Sequence, residues 1–413
     1  MTPAPAAGRE PSRTEPSRAG PLREFVLKPA SRCNLACDYC YMYFGPDQTW
    51  RDQPRVISQA TIEATAARIG EHARAHRLDS VVVALHGGEP LLAGVDTIER
   101  VITAIRGGLP GGARAEFVVQ TNGVLLDAAF LDLFGRHRVR VGVSLDGDAT
   151  SNDRHRNQAD GRSSHDQVAR ALRLLAAEPH RELFAGILCT IDLANDPVAS
   201  YRALREFRPP VIDFLLPHAN WAHPPPRGSR DGDPRGSGTP YADWLIALFD
   251  AWYDDPGAPV SIRFFDEMIA LLLGGTAGTE SLGAGVLGFA VIETDGAIEG
   301  ADSLRSAYHG AAMTHLSVHA NSLDEATAHP VIARPRLGRQ ALGEVCRSCP
   351  VVSVCGGGQY AHRYRHGAGF AHPSVYCADL RRTIEHVARR VGEDLAAAEQ
   401  GRTGRRGNLA TLR

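Results

Sequence analysis

No apolar run in the 413 residues approaches the roughly 18 that a membrane helix needs. The N-terminus holds Arg, Glu and Pro but no apolar h-region, which excludes a secretory signal. A charge excess of either sign is also missing: 45 Lys and Arg against 47 Asp and Glu leave a formal net charge of −2. That balance gives no ground for a nucleic acid or a membrane surface held by bulk charge. No internal repeat is present. With no export signal, the expected location is the cytoplasm, where thiols stay reduced. The eight Cys then read as metal ligands rather than disulfides. What remains is ordinary for a soluble globular protein, 43% hydrophobic and 22% charged, and long enough for two domains, one of them large.

Three of the Cys organise the chain. Cys33-Asn34-Leu35-Ala36-Cys37-Asp38-Tyr39-Cys40-Tyr41 sets thiols four and three residues apart, a spacing that lets them converge in a tight loop. A [4Fe–4S] cube normally takes four thiolates, so three leave one iron open, as in catalytic rather than structural metal sites. A zinc site or a disulfide pair are the alternatives. CxxxCxxC with an aromatic before its last Cys resembles the signature of the radical S-adenosylmethionine (SAM) superfamily. The resemblance implies that SAM chelates the open iron and is cleaved reductively to a 5′-deoxyadenosyl radical.

Strand-like runs alternate with helical patterns along the next two hundred residues. The runs are Glu24–Pro29, Ser80–Leu85, Glu116–Gln120, Val139–Leu145, Phe184–Ile191 and Val211–Leu216, and Ser58 is a plausible cap for the first helix. This is an α/β pattern with a parallel sheet. A doubly wound sheet fits the periodicity as well as a barrel does; the resemblance implies the partial (β/α)6 radical SAM barrel. The expected organisation is a disordered tail (1–22), the barrel (23–221), a linker and helical bridging region (222–290), a small Cys-rich domain (291–398) and a flexible tail (399–413). A hairpin is expected at Val291–Ile298, turning at Asp295-Gly296.

Further motifs sit at strand ends, where βα barrels keep their active sites. His86-Gly87-Gly88-Glu89-Pro90 resembles the GGEP motif, which implies that Gly87, Gly88, Glu89 and Pro90 hold the amino group of SAM. By the same resemblance Tyr39 lies along the adenine. Asn122 in Gln120-Thr121-Asn122-Gly123, and Ser144 and Asp146 in Ser144-Leu145-Asp146-Gly147, are expected to bind or orient SAM. Either Arg154 or Arg156 is expected to pair with its carboxylate, and Arg156 stands as the candidate. Cys189 reads as a buried core thiol.

A second set, Cys346-x2-Cys349-x5-Cys355 and then Cys377, satisfies one metal centre fully. It is also a tetrahedral zinc pattern. Behind a radical SAM barrel it resembles the SPASM domain, which implies one auxiliary [4Fe–4S] cluster beside the SAM-binding one. The departures are that the upstream hairpin holds no Cys and that Gln359 replaces the fourth Cys of the usual C-x3-C step.

The segments Cys355-Gly-Gly-Gly-Gln-Tyr-Ala-His-Arg-Tyr-Arg and Gly369–Leu380, with the hairpin ETDGAIEGADSL, resemble the FxsB-type maturases. Their implied function is a C–C crosslink, a three-residue cyclophane between an aromatic ring and a β-carbon of a ribosomal precursor peptide. The base would come from Asp302 or Asp295, with Glu299 and Asp213 also in view. A ferredoxin or flavodoxin is the expected electron donor. An open barrel also leaves a sheet edge on which an extended peptide can pair. The alternatives are an anaerobic sulfatase-maturase-like oxidase that makes formylglycine, and a non-catalytic zinc or Fe–S regulator.

Overall fold

The computed structural model describes residues 20–226, 238–257, 260–283, 285 and 288–399. The expected tails, apart from residues 20–22 and 399, lie outside these, as does most of the Gly-, Pro- and Arg-rich stretch after Pro226.

Ten strands form one sheet: β1 (Glu24–Ala30), β2 (Ser80–Gly87), β3 (Arg114–Thr121), β4 (Arg140–Ser144), β5 (Phe184–Thr190), β6 (Val211–Leu215), β7 (Ser261–Ile262), β8 (Phe289–Ile292), β9 (Ala297–Glu299) and β10 (Met313–Ser317). Their order is β10-β9-β8-β1-β2-β3-β4-β5-β6-β7, parallel from β8 to β7 and antiparallel through β8, β9 and β10. Helices Gln59–Ala75, Val95–Gly108, Ala128–His137, His165–Ala176, Pro197–Arg205 and Pro240–Tyr253 follow β1 to β6 in turn. A doubly wound sheet reverses its strand order midway. Here the order from β1 to β6 is sequential, the winding of a partial (β/α)6 barrel.

Local chemistry places the elements. Ser58 caps the first helix, its side chain accepting from Thr61 N at 3.1 Å. Along β2 the pleat sends Val81, Val83 and Leu85 into the continuous apolar core, each worth about 1.5–3 kcal/mol on burial. The alternate face carries His86 to the cleft described below.

The second half of the chain is not set apart from the barrel. β8 straddles the expected boundary at 290/291 and pairs in parallel with β1, Val26 opposite Val291. The β1 edge is therefore covered by the protein's own hairpin, and the sheet ends at β10 on one side and at the two-residue β7 on the other. The final helix, Cys377–Glu399, packs back on Pro240–Tyr253. Tyr241 meets Tyr376 at 5.0 Å, and Arg390 pairs with Asp254 at 2.8 Å.

Candidate active site

The loop after β1 turns on itself at the three Cys. Cys40 N donates to Cys37 O at 3.0 Å and Phe44 N to Cys40 O at 2.8 Å. The loop is stitched to the end of β2 by Gly88 N to Ala30 O and Glu89 N to Arg32 O at 2.9 Å, and to the segment after β4 by Ala36 N to Asn157 O at 2.8 Å. Gly88 is forced by contact: a Cβ there would lie 1.8 Å from Tyr43 Oη and 2.4 Å from Arg32 O. Gly88→Ala is therefore expected to cost about 1–3 kcal/mol through overpacking. It should also lower the iron bound after anaerobic reconstitution; unchanged stability and iron would refute the tight docking.

Cys33, Cys37 and Cys40 line one cleft of about 150 Å³ with His86, Gly88 and Arg156. Gly87, Asn122, Ser144 and Tyr39 also border it. Burial pushes all three thiols up, Cys33 to about 12 and Cys37 to about 11. A bound cation such as iron is what would convert them to thiolates. Asn122 Nδ2 donates to Asn34 Oδ1 at 2.8 Å and to Cys33 Sγ at 3.6 Å, which orients the first sulfur.

Glu89 lies at the back of this arrangement, fully buried. It accepts from Leu91 N at 3.0 Å, Thr121 Oγ1 at 2.7 Å and Asn122 N at 2.7 Å. Three of its four lone-pair sites are thus spent inside the protein. Burial raises its proton affinity against the pull of those bonds. Glu89 ties the loop after β2 to the loop after β3, and Pro90 opens the short turn that its carboxylate caps.

Asp146 is likewise enclosed. It accepts from Tyr39 Oη at 2.5 Å and from Thr190 N at 2.9 Å. Arg156 Nη1 donates to Tyr39 Oη at 2.8 Å, so the phenol bridges a guanidinium and a carboxylate. Burial disfavours the charge of Arg156, but Tyr39 and Asp146 outweigh it and hold the guanidinium ionised. Asp146 is not among the residues lining the cleft, whereas Tyr39 and Arg156 are. Ser144 Oγ, in the cleft, accepts from Gln120 Nε2 at 2.9 Å. Arg154 points elsewhere, to Asp192 at 2.8 Å, which leaves Arg156 as the arginine of the site. Cys189 is a buried core thiol.

The expected bases are not free to act as such. Asp295 is exposed at the β8–β9 turn, where it accepts from Ala297 N and Gln53. Asp302 is interior, but it pairs with Lys28 at 2.6 Å and with Arg305 at 3.2 Å. Burial alone would raise it; the two cations win and hold it at about 2. Glu299 also pairs with Arg305, and Asp213 with Arg263 at 3.3 Å. The interior network of Lys28 and Arg305 was hidden in the sequence. Its one signal is a lysine within the apolar run of β1.

Cys346, Cys349, Cys355 and Cys377 line a second cavity, of about 180 Å³. Gly356, Gly357 and Gly358 all take positive φ, and Arg363 collects their three carbonyls at 2.9, 3.0 and 2.7 Å. That wrap presents Cys355 to the other three thiols. Gln359, at the missing Cys position, donates instead to Glu280 Oε1 at 2.6 Å.

The donor sets suit the groups that the radical SAM resemblance implies. Four thiols around one cavity satisfy a cluster fully, and three around the other leave a position open. Beside the three, Arg156 Nε and His86 Nδ1 are buried without hydrogen-bond partners among the described residues. An unpaired guanidinium N–H fits the carboxylate of an amino-acid ligand.

Residues 27–190 match the family model for the Radical SAM superfamily. The cysteine-type anaerobic sulfatase-maturating enzyme of Clostridium perfringens is 28% identical over 285 residues, 67% of this chain and 74% of that protein. The serine-type anaerobic sulfatase-maturating enzyme of Bacteroides thetaiotaomicron is 22% identical over 383 residues, 90% of each. Among solved structures, native anSMEcpe with bound AdoMet and Cp18Cys peptide has a TM-score of 0.73 at 21% identity, covering 90% of this chain and 99% of that one, a likeness of fold.

These relatives overturn the cyclophane-forming expectation. The segments that suggested it prove to be structural: Glu293, Glu299 and Asp302 belong to the interior ion network, and the glycine run of Cys355–Gln359 wraps Arg363. They carry packing information, not substrate information. Among the described residues, no helix is long and apolar enough to cross a membrane. Residues 27–190 form a radical SAM domain, SAM and [4Fe–4S] clusters are the cofactors, and the chain is a radical SAM enzyme.

Proposed function

We propose that this enzyme oxidises a Cys or Ser side chain of a peptide or protein to the aldehyde of formylglycine. The observation that carries the reading is the similarity to cysteine-type and serine-type sulfatase-maturating enzymes across 67% and 90% of the chain. Cys33, Cys37 and Cys40 would hold the SAM-binding cluster, and Cys346, Cys349, Cys355 and Cys377 one auxiliary cluster. When bound, these groups supply hydrogen-atom abstraction from carbon and an acceptor for the second electron. The chain's own part is to hold and exclude. Arg156 offers Nε to the cofactor's carboxylate, Asn122 fixes Cys33, and Glu89 holds the two glycine-bearing strand ends together. A ferredoxin or flavodoxin would deliver the reducing electron.

The test is anaerobic incubation with SAM, a reductant and two otherwise identical peptides bearing Cys or Ser. At least one should yield an aldehyde that condenses with a hydrazine, with 5′-deoxyadenosine formed alongside. A Cys peptide would lose its sulfur as sulfide together with two hydrogens' worth of electrons and protons and gain an oxygen from water, and a Ser peptide would lose two hydrogens. Cofactor cleavage with neither peptide oxidised, across a panel of sequence contexts, would overturn the reading.

A further inference from the structure

A cavity of about 220 Å³ lies next to the Cys loop and has no role in the chemistry above. Phe214, Phe264 and Leu380 give it an apolar wall, and His218, Glu280 and His362 a polar one. Three buried atoms of that polar wall lack hydrogen-bond partners among the described residues: His218 Nδ1, His362 Nε2 and Glu280 Oε2. Each such atom costs about 1–3 kcal/mol, so three around one cavity call for an occupant. The other Glu280 oxygen is already satisfied by Gln359.

The electrostatics select the kind of occupant. Burial lowers both imidazoles, His218 to about 4, so both rings are neutral near pH 7. Neutral imidazole has one lone-pair nitrogen, and an ionised carboxylate only accepts. The charged groups that bear on Glu280 are the carboxylates Asp302 and Glu24. Two cations lie near this wall, and both are engaged: Arg263 pairs with Asp213, and Arg363, which bears on His362, donates to the carbonyls of Gly356, Gly357 and Gly358. Burial raises the Glu280 carboxyl, and Asp302 and Glu24 raise it further against the bond from Gln359, so a cation seated here is what would hold it ionised. Each neutral ring, in one of its two tautomers, turns its lone-pair nitrogen to the cavity. Its place also matters: His218 packs against Tyr41 with ring centroids 4.2 Å apart, and Tyr41 lines the cleft of the three Cys. One aromatic ring separates this cavity from the candidate active site.

We propose that the cavity binds an alkylammonium side chain, a lysine of the polypeptide substrate, with Glu280 as its counter-ion. An ammonium carries three N–H donors and no acceptor, one donor for each orphaned atom. The methylene stem lies along the apolar wall while the charged head reaches the polar one. The proposal rests on the polypeptide reading above, and it adds a sequence preference to that reading.

Two small probes test it on the iron-loaded full chain under nitrogen: N-acetyl-lysine N-methylamide and its norleucine counterpart, which keeps the stem without the charge. The lysine probe should bind at least tenfold more tightly by ligand-observed NMR titration. Glu280→Gln, which preserves shape, should erase the difference without changing iron content. Equal binding of the two probes, no binding of either, or a lysine preference that survives Glu280→Gln overturns the proposal. Peptide oxidation is followed on the same preparation. Oxidation without a lysine preference removes the pocket alone; a lysine preference without oxidation removes only the reaction assignment.

Discussion

Replacing Cys37 with Ala abolishes reductive SAM cleavage and removes about four iron atoms per chain, while Cys349→Ala removes a similar amount of iron and leaves cleavage measurable. The first outcome follows from the geometry of the cleft. Its lining includes Cys33, Cys37 and Cys40 and no further thiol that could substitute. Three thiolates are the minimum that holds a cube with one open corner, and two leave a second iron without a protein ligand. Cys37 is the most enclosed of the three by accessible surface, and Arg156 is the main group favouring its charge, so its loss also removes an anion from beside a buried guanidinium. The second outcome separates the two centres: the four auxiliary thiols line a cavity of their own. Iron analysis and 5′-deoxyadenosine quantification, run on both variants after anaerobic reconstitution, check the pair. Cleavage that persists in Cys37→Ala would refute the assignment of the loop. Zinc in place of iron at the second centre would make it a structural tetrahedral site.

The features legible in the sequence were those set by short spacing. Cys at four and three residues, Cys at three and six, a Ser before a helix and glycines after a strand each determine geometry within a few residues, and each is found in the structure. The roles of the carboxylates were not legible, because their partners are remote in sequence. Glu89 meets Asn122 33 residues on, Tyr39 meets Asp146 after 107, and Lys28 meets Asp302 after 274. A residue type at a strand end announces a polar contact without saying whether the partner is a ligand or another loop. Glu89 and Asp146 therefore read as binders of cofactor, yet the protein itself occupies three of the four lone-pair sites of Glu89 and two of those of Asp146. The hairpin ETDGAIEGADSL misled in part for the same reason. Three of its acids are held inside the barrel by Lys28, remote in sequence, and by Arg305, the residue that follows the segment, so its distinctive composition records folding constraints.

The largest stability effect is expected from that ion network. Arg305, nearly fully buried, pairs with Asp47, Glu293, Glu299 and Asp302, and Lys28 pairs with Glu293 and Asp302. Two cations thus face four carboxylates. Arg305→Met strips one cation and leaves the acids buried with Lys28 alone, a loss of about 3–5 kcal/mol when one partner of a buried pair is removed. Against a total of roughly 5–15 kcal/mol for a typical domain, that is a large share. Arg305→Lys should recover only part of it, since a point charge cannot reach four carboxylates as a planar fork does.

The excess of acid also sets the pH dependence. Burial raises Glu299 from its ordinary 4.5 to about 7 despite Arg305. The folded state therefore binds the proton more tightly than the unfolded chain, and stability present below pH 4.5 is lost as pH rises towards 7. Glu299→Gln should flatten that part of the profile. Asp302, held at about 2, contributes with the opposite sign, and its stabilisation disappears only as pH falls from 3.8 through 2. Urea midpoints of the wild type, Arg305→Met and Glu299→Gln between pH 5 and 8 distinguish these outcomes. An Arg305→Met midpoint close to wild type would mean that the barrel interior is wet enough to solvate the acids.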